Sequence, residues 1–372
     1  MKMTGIIFSN IYDTSLGDLT KLRTVASLPF GGRYRLVDFQ LSNMVNSGIS
    51  SIGIITKYNY QSLMDHLGSG LEWDLNQKST NLYILPPFVT GITNVYRGNL
   101  EALSNAVSFL QANKPDYVLM CDTSVICNIN FEDALEKHVA SKADVTAIVS
   151  HGIESYEKDG RDLHMKIGSD NAVSDLSIGR PINENDYTGM GMFIVERKFL
   201  INIINSYVAR GRYSFEKDFL LSSFNEGTIK INAYEFKGPV LRNHNILSYF
   251  KNNFKLMDEH VRTNIFYKKS PIYTKVRDEA PTYYAEGSKV SDCLVADGCV
   301  IGGRLENSVL FRDVKVDEGA VVKNSIVMQG TIIGKGARIE NAIVDKNAVI
   351  TPGAVIIGGA SAPMVIHKGE TI

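Results

Sequence analysis

Ile6-Ile7-Phe8-Ser9-Asn10-Ile11-Tyr12-Asp13-Thr14-Ser15-Leu16-Gly17-Asp18-Leu19-Thr20-Lys21-Leu22-Arg23, followed closely by Pro29-Phe30-Gly31-Gly32-Arg33-Tyr34-Arg35-Leu36-Val37-Asp38-Phe39, decides how the chain is read. Its first residues form an apolar strand that runs into a turn. In an α/β protein a turn at this place binds phosphate by offering backbone N–H groups at close range, which calls for glycines because a Cβ blocks the approach. Gly17 is the only glycine between Ile6 and Arg23. The stretch therefore reads as a nucleotide loop filled in with side chains.

Working outward, short apolar strands are expected at 5–8, 51–56, 117–120, 145–149 and 191–195, with amphipathic helices at 38–46, 60–67, 99–111 and 132–141. Alternation of this kind predicts a mainly parallel sheet with helices on both faces, and ligands on such sheets sit beyond the carboxyl ends of the strands. Between Glu306 and Ile356 the pattern changes to a repeat of 17 residues, which occurs three times as 306–322, 323–339 and 340–356. Asn307, Asn324 and Asn341 align in it, as do Val309, Ile326 and Ile343, then Val316, Ile333 and Ile350, then Gly319, Gly336 and Gly353. A fixed period with β-branched residues between Asn and Gly turns marks a β-solenoid. The expected organisation is an α/β domain over 1–257, a linker over 258–283 and a solenoid over 284–372.

With 372 residues and a formal net charge of −1, the chain can bury a large core and shows no long Lys or Arg run that would suit nucleic acid or a membrane surface. No apolar run is long enough to span a bilayer and no signal peptide precedes the first strand, so a cytoplasmic location is expected. Cys121, Cys127, Cys293 and Cys299 lack metal-site spacing and read as reduced thiols.

Leu19-Thr20, Arg23, Pro29 to Arg35, Asp38-Phe39, Leu41-Ser42-Asn43 and Val45 to Ile49 resemble the start of ADP-glucose pyrophosphorylase, the glucose-1-phosphate adenylyltransferase family. Active members carry A-G-G-x-G-x-R-L in the first loop. Here Ser9, Asn10, Ile11, Asp13 and Ser15 stand in place of Ala, Gly, Gly, Gly and Arg, and Val25 and Ala26 replace the lysine and proline of R-A-K-P. That combination resembles the non-catalytic partner subunit of some bacterial enzymes. The resemblance implies a Rossmann-like nucleotidyltransferase domain followed by a left-handed parallel β-helix of the hexapeptide type.

It also implies which positions carried chemistry. Adenylyl transfer needs cations and magnesium on the ATP phosphates. One of two metal aspartates is kept at Asp122, in Cys121-Asp122-Thr123, whereas the stretch Gly238 to Leu247, matching W-R-D-V-G-T, has no Asp or Glu. A lone carboxylate is a poor magnesium site, and His244 and Asn245 are poor substitutes. Lys217, in Ser214-Phe215-Glu216-Lys217-Asp218, falls on the lysine that contacts the phosphate of glucose-1-phosphate; the alternative is a surface lysine paired with Glu216 or Asp218. Arg180, in Gly179-Arg180-Pro181, replaces the lysine of the sugar-binding E-K-P motif. Lys217 and Arg180 are thus the sugar-phosphate candidates, while Arg33 and Arg35 are candidates for an effector or interface contact, set against solvated charges beside a turn. The resemblance implies a catalytically degenerate subunit with no metal of its own, magnesium belonging to an active paralogue, within a tetramer that answers to phosphorylated sugars or other anions. The alternative is an active adenylyltransferase with a rearranged loop.

Overall fold

A computed structural model describes residues 1–10, 13–78, 80–87, 96–152, 162–181, 183 and 186–372. Ile11, one of the substituted loop positions, lies outside these residues. Among the described residues nine strands form one sheet: β1 (Met3–Phe8), β2 (Ser51–Ile55), β3 (Asn81–Leu85), β4 (Tyr117–Asp122), β5 (Val145–His151), β6 (Leu163–Ile167), β7 (Val173–Ile178), β8 (Tyr187–Glu196) and β9 (Ile231–Glu235). The spatial order is β9-β5-β8-β4-β1-β2-β3, and the β6–β7 hairpin joins the start of β8. Strands β4, β1, β2 and β3 run parallel, and β8 enters between β4 and β5 antiparallel to both.

The central strands are buried along their whole length, because helices cover both faces of the sheet. Successive residues divide between those faces: Ile6, Phe8 and Met120 enter one core cluster, Ile7, Leu119 and Cys121 the other. The helix expected over 99–111 is two helices, Asn99–Ser104 and Val107–Asn113. The break falls at Asn105, whose Nδ2 donates to the Tyr96 hydroxyl at 2.5 Å. The segment read as a linker also holds a helix, Glu259–Ile265, capped by Asp258 Oδ1 accepting from Val261 N at 3.0 Å. Beyond it the chain lies along the sheet domain, with Tyr273 N donating to Ser42 Oγ at 2.8 Å and Asn46 Nδ2 to the Pro271 carbonyl at 3.0 Å.

From Tyr283 onward three five-stranded parallel sheets wrap the chain into coils, the parallel β-helix architecture that the repeat leads one to expect. The 17-residue period is the coil length: Ile332 pairs with Val349 and Val321 with Arg338. Val316, Ile333 and Ile350 are buried in the solenoid's own core with Leu310, Val327 and Val344, whereas Val309, Ile326 and Ile343, expected to stack in that core, are buried instead in the cluster shared with the sheet domain, because successive strand residues face opposite ways. At each corner Asn307, Asn324 and Asn341 take φ of 44–50°, a region that Asn tolerates better than other side chains. Asn307 Nδ2 donates to Asn324 Oδ1 at 2.8 Å, so the corner residues also hold one coil to the next.

The two parts share a core. Leu28, Phe30 and Phe39 of the sheet domain, Tyr249 and Phe250 of the helix Ile246–Lys255, and Phe311, Ile326 and Met328 of the solenoid belong to one buried cluster. A buried ion pair between Arg23 and Asp345 crosses the same seam.

Candidate functional site

Strands β1, β2 and β4 run parallel and end in register, Phe8 lying beside both Ile55 and Asp122. Their carboxyl ends therefore deliver Ser9, Thr56 and Asp122 to one edge of the sheet. A cavity of about 520 Å³ opens there, where a doubly wound sheet places its ligand. Its wall includes Asn10, Asp13, Lys57, Asn99, Asp162 and Lys217.

The loop after β1 is closed by its own side chains. Asn10 Nδ2 donates to Asp13 Oδ2, and the Lys57 N–H donates to Asn10 Oδ1 at 3.1 Å. The Val25 N–H donates to Asp13 Oδ1 at 3.0 Å, and Thr20 Oγ1 donates to the Asp13 carbonyl at 2.5 Å. Asp13 is only 6% exposed. Burial raises its pKa, against the lowering effect of Asn10, Val25 and Lys57. The loop is thus tied to its neighbours through side chains, with a carboxylate and an amide at its centre.

Asp122 is 4% exposed at the floor of the cavity. Ser124 donates to its Oδ1 from both N and Oγ, each at 2.8 Å. Burial pushes its pKa up to about 6, helped by the nearby charge of Asp162 and opposed by His244 and the two Ser124 bonds. Against the other oxygen lies Gly191, in a bulge of β8 with φ 66°, where a Cβ would come within 2.0 Å of Asp122 Oδ2. Gly191→Ala should therefore cost about 2–4 kcal/mol through left-handed strain and overpacking, read by urea unfolding; an unchanged midpoint would mean that the bulge relaxes freely.

Asp162 was not singled out from sequence, and no motif announces it. It precedes β6 and faces His244, with Nδ1 to Oδ2 at 3.5 Å. Burial works to raise the Asp162 pKa, but the contact with His244 and the charges of Arg242 and His164 bring it below its ordinary value. Asn245 is a helix cap, its Oδ1 accepting from Ser248 N at 2.7 Å. Among the described residues no three His, Cys, Asp or Glu side chains converge in a way that could hold a metal ion.

Lys217 is exposed at the cavity rim and forms no ion pair among the described residues. Asn99 Nδ2 bridges both Glu216 oxygens at 2.9 and 2.8 Å, while Asp218 Oδ2 accepts from Tyr213 N and Ser214 N at 2.8 and 2.9 Å. Arg180 is exposed after β7 and does not line the cavity.

Arg33 and Arg35 lie elsewhere, in a cleft of about 40 Å³ on the seam between the sheet domain and the solenoid. They share it with Lys275, Arg277, Arg312 and Lys346. Arg35 Nη1 donates to Ser62, to O at 2.5 Å and to Oγ at 3.0 Å, and burial lowers its pKa to about 10. Arg312 is 7% exposed, yet its Nε and Nη2 find no acceptor in hydrogen-bond reach, Asp297 standing off at 3.8 Å. Sequence offered only the two arginines; the other four cations come from residues far apart in the chain.

A sheet with a cavity at its switch edge, followed by a parallel β-helix, defines a nucleotidyltransferase-type protein with a hexapeptide-repeat domain. Residues 5–233 match the nucleotidyl transferase family and residues 280–361 the GlmU-like, C-terminal hexapeptide family. The chain is 35% identical to the glycogen biosynthesis protein GlgD of Bacillus subtilis (strain 168), over 99% of its own length and 96% of that protein. It is 36% identical to GlgD of Geobacillus stearothermophilus over 86% and 83%, and 31% identical to glucose-1-phosphate adenylyltransferase of Clostridium botulinum (strain Alaska E43 / Type E3) over 87% and 83%. The chain belongs to the glucose-1-phosphate adenylyltransferase family, on its GlgD-like side. No helix among the described residues is long and apolar enough to cross a membrane.

Proposed function

We propose that this chain is a catalytically degenerate, cytoplasmic subunit of ADP-glucose pyrophosphorylase. It assembles with an active paralogue, in a tetramer, and modulates the synthesis of ADP-glucose from ATP and glucose-1-phosphate for glycogen. The observation that carries this is the Asn10–Asp13–Val25 network, which fills the loop with side chains and puts a carboxylate where a nucleotide's phosphates would lie. The absence of any Asp or Glu from 238–247, where the family's second metal aspartate would stand, supports the same reading, with the metal belonging to the paralogue. Losing even one preorganised donor in a transfer site costs on the order of 10²–10³ in rate. The six cations of the seam cleft supply a place for a phosphorylated sugar or another anion to act as effector.

The test is ADP-glucose formation by this chain alone, by the paralogue alone and by the co-expressed pair. No turnover alone, with faster turnover or an altered anion response in the pair, is expected. Robust turnover by this chain alone, abolished by Asp122→Asn, would establish instead an active adenylyltransferase with a rearranged loop.

A further inference from the structure

Lys346 is the one amine of the seam cleft that belongs to the solenoid, and its surroundings disfavour its own charge. Arg35 approaches from the sheet domain, Arg23 from the loop after β1 and Arg277 from the linker, all acting against an ammonium. Asp345 acts in the opposite sense, but its carboxylate is committed to Arg23, to which it is ion-paired in the buried seam. Burial is the largest effect, and together these lower the Lys346 pKa to about 7. His66, whose Nε2 lies 2.5 Å from Asp38 Oδ1, and Arg33, Lys275 and Arg312 complete the wall. The cleft holds a concentrated positive field, a buried guanidinium edge without an acceptor, and an amine that titrates near neutrality.

Such a cleft is better satisfied by an anion than by a lysine. A cavity of about 40 Å³ has room for roughly three water-sized groups, enough for one carboxylate. We propose that Lys346 is a site of reversible carbamylation by carbon dioxide, the carbamate being held by Arg35, Arg277 and Arg312. The Lys346 Nζ lone pair attacks the carbon of CO₂ and an N–C bond forms. One C=O π pair moves to oxygen as the negative charge, and one Nζ proton leaves to solvent. No oxidant or further reactant is needed. The modification turns a cation into an anion at the centre of the cationic wall, replacing repulsion by attraction.

This inference rests on reading the cleft as an anion site, so the experiment separates the two. The full chain is incubated with ¹³C-bicarbonate near pH 8, the carbamate is trapped by O-ethylation with a trialkyloxonium salt, and each lysine is read by peptide mass spectrometry. In parallel, inorganic phosphate is titrated in and its binding followed by calorimetry. Lys346 should be trapped more than about tenfold above exposed lysines outside the cleft, such as Lys251, which have no cationic wall to hold a carbamate. Lys346→Arg should remove the label, Arg277→Gln at an exposed position should weaken it, and phosphate should compete with it. Phosphate binding without trapped Lys346 overturns the carbamate and leaves the anion site standing. Neither binding nor trapping overturns both, and trapping at Lys346 no greater than at Lys251 overturns the proposal outright.

Discussion

Asp345→Asn should destabilise the protein by about 3–5 kcal/mol, seen as a large fall in the urea midpoint, because it leaves the Arg23 guanidinium buried without its counter-charge. Both partners are 4% exposed, so water cannot replace the lost carboxylate. The cost is sharpened by position, since Arg35 and Arg277 already crowd the same region with positive charge. Replacing the pair together, as Arg23→Met with Asp345→Leu, should return most of the loss, because the desolvation of both charges is then removed. A single variant within about 1 kcal/mol of the parent would show that the seam is held by Phe30, Phe39, Tyr249 and their neighbours alone.

Asp122→Asn should act in the opposite direction and depend on pH. In the folded chain the Asp122 carboxyl titrates near 6, against 3.8 without the fold. Between those values the folded state holds a proton that the unfolded state has released, so the carboxyl costs nothing below about 4 and its burial penalty is fully present above about 6. Asparagine never ionises, and its Oδ1 can still accept both Ser124 bonds. The variant should therefore gain about 1–3 kcal/mol at pH 7.5 and almost nothing at pH 4. Unfolding curves at several pH values measure this. A loss of stability at every pH would mean that the ionised carboxylate is part of the fold. In the co-expressed pair the same variant should leave modulation of the paralogue intact.

The strands of the parallel core and the whole solenoid were legible because a single physical requirement repeats along them. Every coil must bury residues such as Val316 and Ile333 and turn at an Asn or Gly, so the period appears directly in the chain. The break at Asn105 was hidden, since a local tie to Tyr96 outweighs an unbroken apolar spacing. In the candidate site, the filled loop was legible from its missing glycines and Asp122 from its place after an apolar strand. Asp162 was not, because what defines it is a contact with His244 across the fold rather than any local pattern. The same limit applies to the cleft. Arg33 and Arg35 stand in a distinctive motif, while Lys346 and Arg312 look like ordinary surface residues of a repeat until the coils bring them together.

The seam has one more consequence. Arg33 and Arg35 belong to one half of the molecule and Arg312 and Lys346 to the other, so like charges face each other across a joint closed by apolar cement and one ionic latch. Screening weakens that repulsion. Counter-ions therefore act on this joint as mortar: dilute buffer strains it, salt relaxes it, and a multivalent anion seated between the halves would clamp it shut.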